Sequence, residues 1–162
     1  MKPFIFLLAA LISISASAQV SKVTIQASGL TCSMCSNSIN KSLKTIDFVQ
    51  NVNPNIQTSS FEITFKAGSS VDFDRLKKKV EDAGFTVASF TATVNFNNVQ
   101  VKANQPVKIG DKTLYILNAK DLSLNGAKQI RVLDKGFVSG KEYKKNVLTT
   151  AAGGNGTYNV TI

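Results

Sequence analysis

The chain has 162 residues, 43% of them hydrophobic, which is enough to bury a core and too few residues for a large multidomain enzyme. It contains no His, removing the commonest general base and zinc ligand, and its two Cys exclude a disulfide-rich scaffold. The formal net charge of +9 is concentrated late in the chain, since residues 98–162 hold 10 basic and 4 acidic side chains. These charges are scattered singly, without a basic stripe or stacking aromatics, so nucleic acid is not an expected partner, and a solvated face or attraction to acidic surfaces is.

Residues 1–18 read as a signal peptide. Met1-Lys2 gives a positive start, Phe4 to Ile14 is apolar apart from Ser13, and Ala16-Ser17-Ala18 is a processing site, so cleavage is expected before Gln19. The apolar run is about 11 residues, short of the roughly 20 needed to span a bilayer. A secreted or periplasmic protein without a membrane anchor is therefore expected.

Val23 and Ile25 alternate with polar residues in a half-buried strand that stops at Ser28-Gly29. Ile39, Leu43 and Ile46 form one stripe of a helix predicted over 36–46. Phe48, Val49 and Val52 mark a second strand ending in an Asn53-Pro54-Asn55 turn, and Phe61, Ile63 and Phe65 mark a third. Asp72 or Asp74 can cap a second helix with Phe73, Leu76, Val80 and Ala83 inward, Lys77, Lys78 and Lys79 outward, and Gly84 as its stop. Phe90, Ala92, Val94 and Phe96 alternate in a fourth strand. The order β-α-β-β-α-β predicts an α+β fold over residues 19–96: a ferredoxin-like sandwich with a four-stranded antiparallel sheet and both helices on one face.

Residues 97–162 are expected to form a small β-rich domain, a sandwich or partly closed barrel. Its strands are placed at Val99–Val101, Val107–Ile109, Thr113–Leu117, Gln129–Leu133 and Tyr158–Ile162, with a Gly110-Asp111 turn and a helical turn or two over Ser139–Lys145. So short a segment is marginal alone and is expected to lean on the first module. Asp134 to Phe137 reads as a turn, Ala152 to Gly156 as a flexible loop, and Asn155 and Asn159 head sequons without meaning in a bacterial source.

The chemistry lies in Gly29-Leu30-Thr31-Cys32-Ser33-Met34-Cys35, where the first strand hands over to the first helix. A Cys-x-x-Cys at a helix N-terminus sets two sulfurs side by side, and the unpaired N–H groups there favour thiolates. Cys32 and Cys35 are the candidate metal ligands. The pair suits a soft, low-coordinate ion such as Cu(I), whereas structural zinc wants four ligands. Redox motifs share this spacing, and an oxidising compartment could close it into a disulfide.

The Gly-Met/Leu-Thr/Ser-Cys-x-x-Cys pattern at Gly29–Cys35, with Glu81-Asp82-Ala83-Gly84-Phe85 at the second helix end, resembles the heavy-metal-associated domain family. The resemblance covers about residues 20–95. It implies a non-enzymatic carrier that captures Cu(I), or another soft heavy-metal ion, on Cys32 and Cys35 and passes it to an incoming sulfur ligand. Implied partners are a metal-transporting ATPase or other metal-handling protein, and a second copy through a metal-bridged dimer. A mercury or heavy-metal scavenger is the alternative within the class; a thiol-disulfide redox or disulfide-stabilised interaction module is the alternative outside it. Phe85 resembles the aromatic of ATPase-type members and is expected to pack behind the metal loop. Met34 is expected to pack against apolar neighbours, with a weak thioether ligand as the lesser alternative.

Overall fold

The computed structural model describes residues 19–30, 32–102, 105–117, 119–146 and 154–162. The expected signal peptide, and the start of the expected loop at 152, lie outside them.

Strand β1 (Gln19–Ser28) has a neighbour on each side, and its alternating Val23 and Ile25 bury completely on one face. It pairs antiparallel with β3 (Ser60–Phe65), placing Val23 opposite Ile63 and Ile25 opposite Phe61. On its other side it pairs with β4 (Thr86–Val101), opposite Ala92 and Phe90. The outer strand β2 (Val49–Asn55) pairs with β3 and includes Pro54, so the expected turn at Asn53–Asn55 is strand instead. An edge strand tolerates proline, since the N–H that proline lacks need not face a neighbour.

Helix α1 (Ser33–Lys44) starts three residues before the predicted point, capped by Cys32, and buries Ile39 and Leu43. Helix α2 (Phe73–Asp82) buries Phe73, Leu76 and Val80. Asp72 caps it, its Oδ1 accepting the Arg75 N–H at 3.1 Å, an interaction worth about 1 kcal/mol. Gly84 ends it at φ +89°, donating its N–H to the Glu81 carbonyl at 2.9 Å. The Ser42 hydroxyl on α1 donates to the Lys79 carbonyl on α2 at 2.8 Å, tying the helices over a shared core.

Beyond residue 96, where a sandwich or partly closed barrel is expected, the strands are hydrogen-bonded into the first sheet. Strands β5 (Pro106–Ile109), β6 (Lys112–Ile116), β7 (Leu122–Val132) and β8 (Thr157–Thr161) extend the first sheet. Among the described residues it is one eight-stranded sheet, ordered β2-β3-β1-β4-β7-β8-β6-β5. The boundary expected between 96 and 97 falls inside β4, whose apolar alternation continues to Val101 after an irregularity at Asn98, φ +47°. The long edge this leaves would expose a row of unpaired backbone groups, and β7 covers it from Arg131 opposite Thr91 to Leu122 opposite Val101. The segment is not all β, because α3 (Gly140–Asn146) forms where one or two helical turns were predicted. Gly110 and Asp111 make the expected turn between β5 and β6.

The expected dependence of the tail on the first module takes the form of an aromatic junction over α2. Phe73 of α2 packs 5.0 Å from Phe90 and 5.1 Å from Tyr158, and Phe137 packs 5.1 Å from Phe90 and 5.6 Å from Tyr158, between ring centres. Lys77 is half-buried, not simply solvated: its ammonium sits 4.7 Å from the centre of the Phe137 ring and 3.2 Å from Asp74. The Tyr158 hydroxyl donates to Asp74 Oδ2 at 2.8 Å, and burial, then that carboxylate, raises the pKa of the phenol well above its ordinary value. Asp134, read as a turn residue, accepts both the backbone N–H and the side-chain amide of Asn159, at 2.8 and 2.7 Å. Asn159 is fully buried, so its sequon is closed to modification in the fold. Among the described residues no helix is long and apolar enough to cross a membrane.

Candidate functional site

The chain leaves β1 at Ser28 and turns through Gly29 at φ +81°, a conformation that costs other residues roughly 1–2 kcal/mol. It then enters α1 at Cys32, whose extended backbone (φ −147°, ψ 154°) suits a cap position. A Ser, Thr, Asp or Asn usually stands there; here Cys32 Sγ accepts the Cys35 N–H at 3.2 Å. The first turn of α1 carries no acidic residue, while Lys41 and Lys44 stand in its last turn. The positive end of the helix therefore faces the two sulfurs without a competing carboxylate on that turn, which stabilises negative charge on them.

The structure brings the two predicted ligands together. Their Cα atoms are 5.3 Å apart and their sulfurs are joined in a disulfide, the oxidised form of the pair. Cys32 is exposed and Cys35 half-buried, so the pair lies at the surface and open to exchange. Among the described residues no group of three or more His, Cys, Asp or Glu gathers to hold a metal ion. In its dithiol form the Cys32–Cys35 pair would offer two sulfur donors, a set that suits a soft, low-coordinate ion.

Beside Cys32, a hollow of about 190 Å³ is lined by that residue with Leu30, Ser33, Ser36 and Ile56. Ser36, one turn into α1, is buried, and a side chain this small lets the helix start sit close to the core. Ile56 was missed because its neighbourhood reads as polar turn; the signal was an isolated apolar residue in that turn, and it is 61% exposed. Met34 corrects the expectation of apolar packing, because it is 80% exposed. Phe85 is half-buried against the core, its N–H donating to the Val80 carbonyl at 3.2 Å.

Comparison with known proteins supplies the family. Residues 24–86 match the heavy-metal-associated domain, a span running from within β1 to the first residue of β4. A probable copper-exporting P-type ATPase of Archaeoglobus fulgidus is 32% identical over 72 residues, which is 44% of this chain and 9% of the relative. A probable copper-transporting ATPase of Arabidopsis thaliana is 26% identical over 155 residues, 90% of this chain and 15% of the relative. The chain thus spans a small fraction of the length of these curated relatives. Among solved structures, oxidized MerP from Ralstonia metallidurans is 26% identical at a TM-score of 0.39, covering 43% of this chain and 96% of that one. With the motif, its place at the start of α1 and the matched span agreeing, residues 24–86 of this chain belong to the heavy-metal-associated domain family.

Proposed function

We propose that the protein is an exported, non-enzymatic carrier of a soft metal ion, Cu(I) first, which Cys32 and Cys35 capture in their dithiol form and release to a partner. The observation that carries this reading is the surface placement of two adjacent sulfurs at the positive end of α1. Support comes from the heavy-metal-associated match and from two relatives whose names concern copper transport. The apolar leader and its Ala16-Ser17-Ala18 site support export.

The cycle begins with reduction. A dithiol donor attacks the Cys32–Cys35 bond, two electrons and two protons end on the cysteine sulfurs, and the donor leaves as a disulfide. The thiols then bind the ion as thiolates and release their protons. Two donors hold a soft ion tightly yet leave open positions, so an incoming sulfur can join before a cysteine leaves. A metal-transporting ATPase or another metal-handling protein is the proposed receiver, and a second copy bridged by the ion is a further arrangement within this reading.

Anaerobic titration of the reduced protein lacking residues 1–18, against a coloured Cu(I) chelator, tests this directly. One Cu(I) per chain, lost in both Cys32→Ala and Cys35→Ala while circular dichroism stays unchanged, is expected. Wild-type affinity in both variants would overturn it. The joined sulfurs favour one second reading, a thiol-disulfide or disulfide-stabilised module. That reading predicts no competition with the chelator, together with turnover against a dithiol.

A further inference from the structure

Met34 is the most exposed large apolar side chain among the described residues, at 80%. Full burial of such a side chain is worth about 1.5–3 kcal/mol, and here the fold forgoes most of it. The place is not neutral: Met34 lies in the first turn of α1, between the two cysteines, one peptide unit from Cys35. The chain has two Met and two Cys, and Met1 lies in the expected leader, so Met34 holds the one further sulfur beside the pair.

Its chemistry matches what the pair lacks. Two thiolates leave Cu(I) short of a full coordination shell, and thioether sulfur is among the soft ligands that select this ion. Being neutral, a thioether adds donor strength without adding negative charge to two neighbouring thiolates. The side chain is unbranched with three rotatable bonds, and at 80% exposed it has little packing to lose in turning toward the pair. The neighbouring Ile56 and Leu30 offer apolar surface but no donor atom.

Building on the carrier reading above, we propose that Met34 Sδ is a third, exchangeable donor to the ion held by Cys32 and Cys35. It occupies the position that a partner's sulfur takes during transfer. Bound, it slows loss of the ion to solvent; displaced, it opens the site without breaking a thiolate bond. It favours Cu(I) over Zn(II), which prefers thiolate, imidazole and carboxylate donors.

Met34→Leu keeps the apolar bulk and removes the sulfur. In the reduced protein lacking residues 1–18, it is expected to weaken Cu(I) affinity about tenfold against the chelator, equivalent to 1.4 kcal/mol. It is also expected to speed Cu(I) loss, with the stoichiometry kept at one. The direct readout is X-ray absorption of Cu(I)-loaded protein grown on selenomethionine, where a copper–selenium distance is expected in the wild type and absent in Met34→Leu, which retains any other methionine. No copper–selenium distance in the wild type overturns the proposal, even if affinity falls, because the side chain then acts only by packing. If Met34→Leu holds Cu(I) like wild type while Cys32→Ala does not, the donor role fails and the carrier reading stands. A reduced wild-type protein that binds no Cu(I) overturns both.

Discussion

The first turn of α1 and the junction where the tail closes over α2 lie in one fold and are built on opposite terms. At the sulfur site, Met34 and Ile56 are 80% and 61% exposed and Cys32 faces solvent. At the junction, Phe73, Phe90, Phe137 and Tyr158 are all 4% exposed or less. Burial earns stability by removing apolar area from water, whereas the ion-exchange site proposed above needs donors that a second protein can reach. The contrast teaches that this chain keeps its stability away from its chemistry. The tail adds core and covers the β4 edge, and the sulfur site is free to remain loosely packed.

The sharpest way to break that contrast is to cut each region and compare the losses. Phe137→Ala is expected to cost about 3–5 kcal/mol of unfolding free energy, because the ring is buried against Phe90 and Tyr158 and leaves a cavity between β4 of the first module and β8 of the tail. Met34→Ala is expected to stay within about 0.5 kcal/mol, as for other exposed positions. Urea unfolding of the reduced proteins measures both. If Phe137→Ala costs no more than Met34→Ala, the tail is not part of the stabilising unit.

A smaller effect sharpens how the junction closes. Gly136 adopts φ +85°, and a Cβ there would lie 3.2 Å from Lys77 Cδ, so Gly136→Ala meets both backbone strain and the α2 side chain. A loss of about 1–2 kcal/mol is expected from the backbone conformation. Smaller again is Tyr158→Phe, which removes the donor to Asp74 but leaves Lys77 beside that carboxylate; about 1 kcal/mol is expected. Differential scanning calorimetry of the pair would show a lower Tm for Gly136→Ala than for Tyr158→Phe. The reverse order would mean that the Tyr158–Asp74 bond holds the junction more than the close approach at Gly136.

What the sequence made legible divides along the same line. The alternation of Phe61, Ile63 and Phe65 and the helical spacing of Phe73, Leu76 and Val80 are local patterns, and each appears where its period placed it; of the two caps the sequence offered, Asp72 and Asp74, the structure uses Asp72. The Cys-x-x-Cys at a strand-to-helix turn was equally local. The pairing of β7 with β4 was not legible, because alternation tells which face of a strand is buried and says nothing about which strand lies beside it. Pro54 suggested a turn, since proline's compatibility with an edge strand depends on where the strand sits in the sheet. Met34 was misplaced because hydrophobicity alone predicts burial, and the geometry of a helix start overrode it. Asn159 read only as the head of a sequon, because the acceptors that let it be buried come from Asp134, 25 positions earlier.

The smallest effect tests the polar part of the junction through pH. Burial is the main influence on Asp134 and raises its pKa above the ordinary 3.8, against the opposing hydrogen bonds from Asn159. With the folded value above the unfolded one, the folded protein binds more protons than the unfolded chain between the two values. Stability from this group is therefore fully present below 3.8, is lost as pH rises through the folded value, and is constant above it. Asp134→Asn has no such proton to release, although it gives up one of the two acceptors that hold Asn159. The difference in unfolding free energy, variant minus wild type, is thus expected to start negative at low pH and to rise with pH before reaching a plateau, as read from urea melts across the acid range. A difference that falls as pH rises would mean that the bonds from Asn159 outweigh burial, and that Asp134 holds the junction best as a charged acceptor.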